Sequence, residues 1–366
     1  MNKKWIALLL ALVMVLTFVV GCGTKPAEDA KKETEKVEEK KEEPKEEPKE
    51  DAKEEPKEEP KDEKKPASGE TQFISIATGG VAGTYYPLGG AMATILNDAG
   101  LGLQATAQST GASVENVELI TRGDAEIAFV QNDVTYYAYN GIEAFKDKGE
   151  MKDIAGMATL YPEVVQIIAR GDLDINSVED LKGKKVAVGA PGSGTEVNAR
   201  QILEIHGLSY DDLAKVDYLS FAEATDQLKN KQVDVAFVTA AVPTSAVTEV
   251  STTADVKLVP MDEAKIKELS EKYPYYIQVD IEPGDYKGQE EKVVATAVMA
   301  MLIVPKNMDE DLVYNMTKAI FENTDVIVEA HARGKDITLE TALSGMPIDV
   351  HPGAQKYFDE KGIKAD

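Results

Sequence analysis

The chain has 366 residues, with 40 Lys and Arg against 65 Asp and Glu, for a net charge of −25. That balance excludes sequence-independent nucleic-acid binding and charge-driven docking on anionic lipid, since both need a basic surface. One cysteine and three histidines exclude a disulfide scaffold and leave little for a Cys- or His-ligated metal site, so neither metal nor cofactor is expected.

Lys3 and Lys4 precede an apolar run from Trp5 to Val20. The run is short for a spanning helix, which needs about 20 apolar residues, and suits the core of a secretory leader over 1–21. Val19, Val20 and Gly21 directly before Cys22 resemble the lipobox of bacterial lipoproteins. That resemblance implies cleavage before Cys22, lipidation of its sulfur and a position on the outer face of the bacterial cytoplasmic membrane. The other reading is an ordinary signal peptide with an incidental cysteine. Residues 22–69 then form a tether, in which 13 lysines and 18 acids from residue 25 onward are interrupted by Pro44, Pro48, Pro56 and Pro60. Proline at that frequency defeats a Lys/Glu helix at about 3 kcal/mol each, and with nothing apolar to bury the segment is expected to stay disordered.

From residue 72 strands and helices alternate. Phe73–Ala77 reads as a buried strand, Gly79–Gly83 as a glycine turn, and Tyr85–Asp98 as a helix with Leu88, Met92, Ile95 and Leu96 inward. The pattern returns with strand Lys185–Val188, turn Gly189–Gly194 and a helix from Thr195 to His206. A second pair agrees: Ala128–Val130 and Ala236–Val238 share the triplet Ala-Phe-Val at an offset of 108, ending in Gln131 and Thr239. Two such units predict an α/β protein of two lobes, each with a mainly parallel sheet, over 72–161 plus 291–366 and over 162–290. The last crossing is a strand over Val298–Val304 and a helix over Asp309–Asn323, and Tyr161-Pro162 falls at a lobe crossing. Ligands sit beyond the carboxyl ends of parallel strands, which puts a cleft between the lobes.

Both glycine turns end in Gly-Thr at a helix start, Gly83-Thr84 and Gly194-Thr195. The exposed N–H groups and helix dipole there favour an anion, and the hydroxyl can contact a ligand or simply cap the helix. Ser109–Ser113 opens a third helix of the same kind. Tyr85 and Tyr86 can present a phenol to the cleft or pack in the core, whereas Tyr136, Tyr137 and Tyr139 read as surface or packing residues. The enzyme readings fail on spacing. Val197 stands where a dinucleotide motif needs its third glycine, neither turn continues into Gly-Lys-Ser/Thr, and Pro191 breaks the frame around Ser193. His206 lies about 20 Å along the helix from Ser193, too far to serve as its base.

Thr78–Pro87, Ser109–Asn116, Gly189–Thr195 and His351–Ala354 occur in that order. Together they resemble the TAXI branch of solute-binding proteins, which serve tripartite ATP-independent periplasmic (TRAP) transporters, over nearly all of residues 72–362. The resemblance implies a two-lobed type II periplasmic-binding-protein fold that closes on a small organic acid or amino acid, such as glutamate, glutamine or a dicarboxylate. It also implies delivery to a sodium-coupled TRAP membrane component of fused subunits. Carried onto this sequence, the ligand shell is Gly83, Thr84, Tyr85, Ser109, Ser113 and Gln131 from one lobe and Ser193, Gly194, Thr195 and Thr239 from the other. The dicarboxylate-binding TRAP branch uses an arginine clamp. None of the four arginines after the tether, Arg122, Arg170, Arg200 and Arg333, falls on a ligand turn, so backbone and hydroxyl coordination is expected. An ATP-driven (ABC) importer lipoprotein and a surface lipoprotein enzyme remain the alternatives.

Overall fold

The computed structural model describes residues 71–364. The leader, the lipidation expected at Cys22 and the tether lie outside the described residues. Among the described residues no helix is long and apolar enough to cross a membrane.

The first unit runs β1 (Gln72–Ala77), α1 (Tyr85–Asp98), β2 (Leu103–Gln108), α2 (Ser113–Arg122), β3 (Ile127–Gln131) and α3 (Asn132–Asn140). A long strand, β4 (Ile154–Arg170), leads into the second: β5 (Lys185–Ala187), α4 (Gly194–Ile205), β6 (Lys215–Asp217), α5 (Phe221–Lys229), β7 (Val235–Ala240), α6 (Ser245–Thr253) and β8 (Val256–Leu258). The chain closes with α7 (Glu263–Lys272), β9 (Ile277–Ile281), β10 (Val293–Pro305), α8 (Glu310–Glu322), α9 (Thr324–Ala330) and α10 (Pro352–Glu360). Helix α1 has the expected bounds and buries all four residues assigned inward. Each such aliphatic side chain contributes about 1.5–3 kcal/mol on burial.

The sheet departs from the expectation of two separate, mainly parallel sheets. The strands form one sheet in the order β2-β1-β3-β10-β4-β7-β5-β6, with β8 and β9 on its margins. Each end is a parallel trio, β2-β1-β3 and β7-β5-β6. Between them β4 and β10 pair antiparallel to each other and to the trios. Strand β10 pairs with β3 of the first trio and β4 with β7 of the second, and the two long apolar strands join the trios by pairing with each other. Tyr161 and Pro162 lie inside β4, where Met299 pairs with Pro162 but Met301 with Thr159. One extra β4 residue therefore sits just before a proline that has no N–H for the ladder, as at a β-bulge.

Alternate residues of the central strands feed different cores. Ala128 and Val130 join a cluster that runs under both trios, with α2, α3, α4 and α7 packed on it. Ile127 and Phe129 face a second core with α1, α8 and α10, and Ala236 and Val238 face a third with α5 and α6. The closing His351 motif belongs to this packing. The His351 side chain caps α10 by accepting from Gly353 N–H at 3.2 Å, and its Nε2 lies 3.1 Å from the Met308 carbonyl. A Cβ on Gly353 would stand 2.2 Å from the Glu310 carbonyl, so only glycine lets α10 approach α8 this closely.

Candidate functional site

Both trios point the carboxyl ends of their strands toward one cavity of about 60 Å³. From the first unit Gly83, Thr84, Tyr85, Ser113 and Gln131 line it; from the second come Ser193, Gly194, Thr195 and Thr239. Ser109 is not brought to the cavity, because its hydroxyl donates to the Gly79 carbonyl at 3.0 Å and ties that loop to the first glycine turn. Tyr86 points outward and is 36% exposed. Tyr137 is buried, and its hydroxyl accepts from Gln201.

The two Gly-Thr turns are not equivalent. In the second, Ser193 is the cap and accepts from Glu196 N–H at 3.1 Å, so Thr195 lies inside α4 and its hydroxyl is not the cap. In the first, Thr84 precedes α1 without capping it, and its Oγ1 accepts from Ala241 N–H of the second unit at 3.3 Å. Helix α2 is not the free N-terminus expected of a third anion site. Val114 and Glu115 donate to the Gly192 carbonyl at 3.0 and 3.2 Å, so a peptide oxygen from the facing turn occupies its leading donors. At α4, by contrast, the N–H groups of Gly194 and Thr195 have no acceptor among the described residues. These are the donors that a helix start leaves for a ligand.

Two polar atoms in the cavity wall are buried without a partner: Gln131 Oε1 and Thr239 Oγ1. They stand at the ends of β3 and β7, at the same offset of 108 that relates the Ala-Phe-Val triplets. A buried unpartnered polar atom costs about 1–3 kcal/mol, so a duplicated pair on residues lining one cavity marks a candidate binding surface. Gln131 also fixes the distance between the units, since a Cβ on Gly194 would lie 1.9 Å from Gln131 Oε1.

The sequence reading missed Glu163, Thr110, Ser220 and Phe221 among the lining residues. Glu163 matters most. It lies in β4, 2% exposed, and accepts from the Tyr85 hydroxyl at 2.6 Å. Burial pushes its carboxyl up to about 8, the Tyr85 bond pulls it down and nearby Asp133 adds to the rise. A lone acid in an otherwise apolar run was the available signal, because a fully buried Glu is rare unless paired.

A buried polar cluster joins the units beside the cavity. Asn198 of α4 donates to Asp133 of α3 at 3.0 Å and to Tyr276 at 2.7 Å, and Tyr276 donates to Gln201. Asp133 Oδ1 and Asn198 Oδ1 are both buried without a partner. Burial pushes the Asp133 carboxyl up to about 7, against hydrogen bonds from Val134 and Asn198. Because the folded state holds this proton more tightly than the unfolded chain, the stability that Asp133 contributes is fully present at low pH and is lost as pH rises through 7. Between pH 5 and 8 the loss from Asp133 should be about 3 kcal/mol. Urea midpoints should therefore drop over that range, and by less in Asp133→Asn; an equal drop in the variant would show that Asp133 is not the source.

Residues 76–362 match the model of the NMT1-like family. The chain is similar to a structure from Bordetella bronchiseptica RB50 at 16% identity, over 79% of this chain and 98% of that one, with a TM-score of 0.52. It is also similar to the periplasmic aliphatic sulphonate binding protein SsuA from Escherichia coli, at 13% identity over 79% and 78% of the chains, with a TM-score of 0.42. For the periplasmic binding protein BugD the identity is 16%, the coverage 81% and 99%, and the TM-score 0.49. The mixed α/β fold read from the sequence is shared with the Bordetella protein.

Proposed function

Since the chain belongs to the NMT1-like family, we propose that it is an extracytoplasmic solute-binding receptor that closes two lobes on a small organic acid or amino acid. The lobes are 72–161 plus 291–366 and 162–290, hinged where β4 and β10 change register beside Pro162. The observation that carries this reading is the cavity lined from both units, with Gln131 Oε1 and Thr239 Oγ1 unpartnered in its wall and the acceptor-free N–H groups of Gly194 and Thr195 on residues that line it. No Lys, Arg or His lines the cavity, so a carboxylate there is held by the N–H groups of Gly194 and Thr195 and by hydroxyls.

The four motifs that resemble the TAXI branch support delivery to a sodium-coupled TRAP component, with Cys22 as the lipid anchor. Two acyl chains give stable attachment where one does not.

Thermal shifts of the chain against glutamate, glutamine, 2-oxoglutarate, succinate and malate test the reading. A solute at 100 times its dissociation constant adds about 2.7 kcal/mol, which raises the midpoint on the order of 5 °C. Thr195→Ala should lose the shift with its own midpoint unchanged. Ser193→Ala should lose it too, but at about 1 kcal/mol of helix cap, so Thr195 is the cleaner probe. A full shift in both variants would remove the α4 turn from the site.

A further inference from the structure

We propose that Glu163 is the residue that recognises an amino group on the solute; this rests on the receptor reading and narrows its substrate class to amino acids. Glu163 is the one carboxyl group among the residues that line the cavity, and no cationic side chain lines it. A buried carboxylate needs a positive partner, and here only the solute can bring one. The α4 N-terminus offers N–H groups to a carboxylate in the same cavity. An amino acid presents both charges, each to the group that suits it, whereas a solute without an amino group brings no cation to Glu163.

The groups facing Glu163 are few. The Tyr85 hydroxyl comes from α1, Tyr161 from its own strand and Asp133 from α3. Across the ladder Glu163 pairs with Val298 of β10, and its neighbour Val164 pairs with Ala240 of β7, both apolar. Burial, with Asp133 adding to it, outweighs the Tyr85 bond and favours a protonated Glu163 while no cation is near. An incoming ammonium reverses this: the O–H bond of Glu163 breaks, its proton leaves to solvent, and the carboxylate pairs with the ammonium. Binding of an amino acid is then linked to release of about one proton below pH 8, and affinity rises by up to about tenfold per pH unit from pH 6 to 8. A 2-oxo acid has no ammonium, so Glu163 keeps its proton and no release accompanies binding.

The test is calorimetric titration of the full chain with glutamate, glutamine and 2-oxoglutarate at pH 6.5, in two buffers of different ionisation enthalpy, repeated with Glu163→Gln. The amide still accepts from Tyr85, so the variant should fold. We expect close to one proton released with glutamate or glutamine and none with 2-oxoglutarate. In the variant the amino acids should lose at least 100-fold in affinity while 2-oxoglutarate stays within a few-fold. Amino-acid binding without proton release in the native protein overturns the inference whether or not the variant folds. Unchanged glutamate and glutamine affinity in Glu163→Gln also overturns it, and either result leaves the receptor reading standing. A native protein that binds none of the three solutes removes the receptor reading for this class, and the inference with it.

Discussion

Gly194→Ala should cut solute affinity at least 100-fold. A Cβ at this position stands 1.9 Å from Gln131 Oε1, well inside van der Waals contact. Gln131 is buried at the end of β3 and cannot swing its carboxamide into solvent. Either the amide moves into a cavity of about 60 Å³ and fills much of it, or α4 and β3 separate and the cavity loses its wall. Both outcomes remove binding. Forcing the extra methyl into this contact should also cost about 1–3 kcal/mol of stability. Calorimetric titration with the best solute and urea denaturation separate the two effects, and affinity within threefold of the native protein would show that Gln131 does not set the gap.

Asn116→Ala should be the most destabilising single substitution near the site, at about 3–5 kcal/mol. The Asn116 side chain is fully buried and donates to the carbonyls of Thr78 at 2.6 Å and Phe129 at 2.7 Å, while its Oδ1 accepts from the Thr110 hydroxyl at 2.6 Å. It thus ties the ends of β1 and β3 to the Thr110 loop, the three pieces that carry the first unit's share of the cavity. Alanine removes the donor from both carbonyls, each worth about 1–3 kcal/mol, and leaves a void. The Thr110 hydroxyl, freed from Asn116, can donate to the Thr78 carbonyl at 3.0 Å, so Phe129 is the more exposed to the loss. The check is the urea midpoint of the variant; a loss below 1 kcal/mol would mean that water replaces the amide freely.

Much of this site was legible because the chain says it twice. Gln131 and Thr239 were found by aligning two Ala-Phe-Val triplets, and the fold puts both at strand ends facing one cavity. The helix starts were legible from glycine, Ser/Thr and apolar spacing. Two things were not. The shared reading of Gly-Thr hid a shift of one residue, since the sequence does not show that Ser193 takes the capping role in one turn while Thr84 reaches across to Ala241 in the other. The long strand β4 and the first residues of β10, before the predicted strand Val298–Val304, were hidden because a continuous apolar run buried on both faces carries no alternation to mark its ends. Glu163 went unseen with β4. Its partner Tyr85 is 78 residues away in the chain, and only the folded sheet brings the two together.

The most direct test is a crystal structure of the chain with whichever solute gives the largest thermal shift. We expect the solute carboxylate within about 3 Å of the Gly194 and Thr195 N–H groups, with the Thr239 hydroxyl and the Gln131 carboxamide now partnered and the solute chemically unchanged. A solute bound outside the cavity, or recovered as a different compound, would contradict the receptor reading.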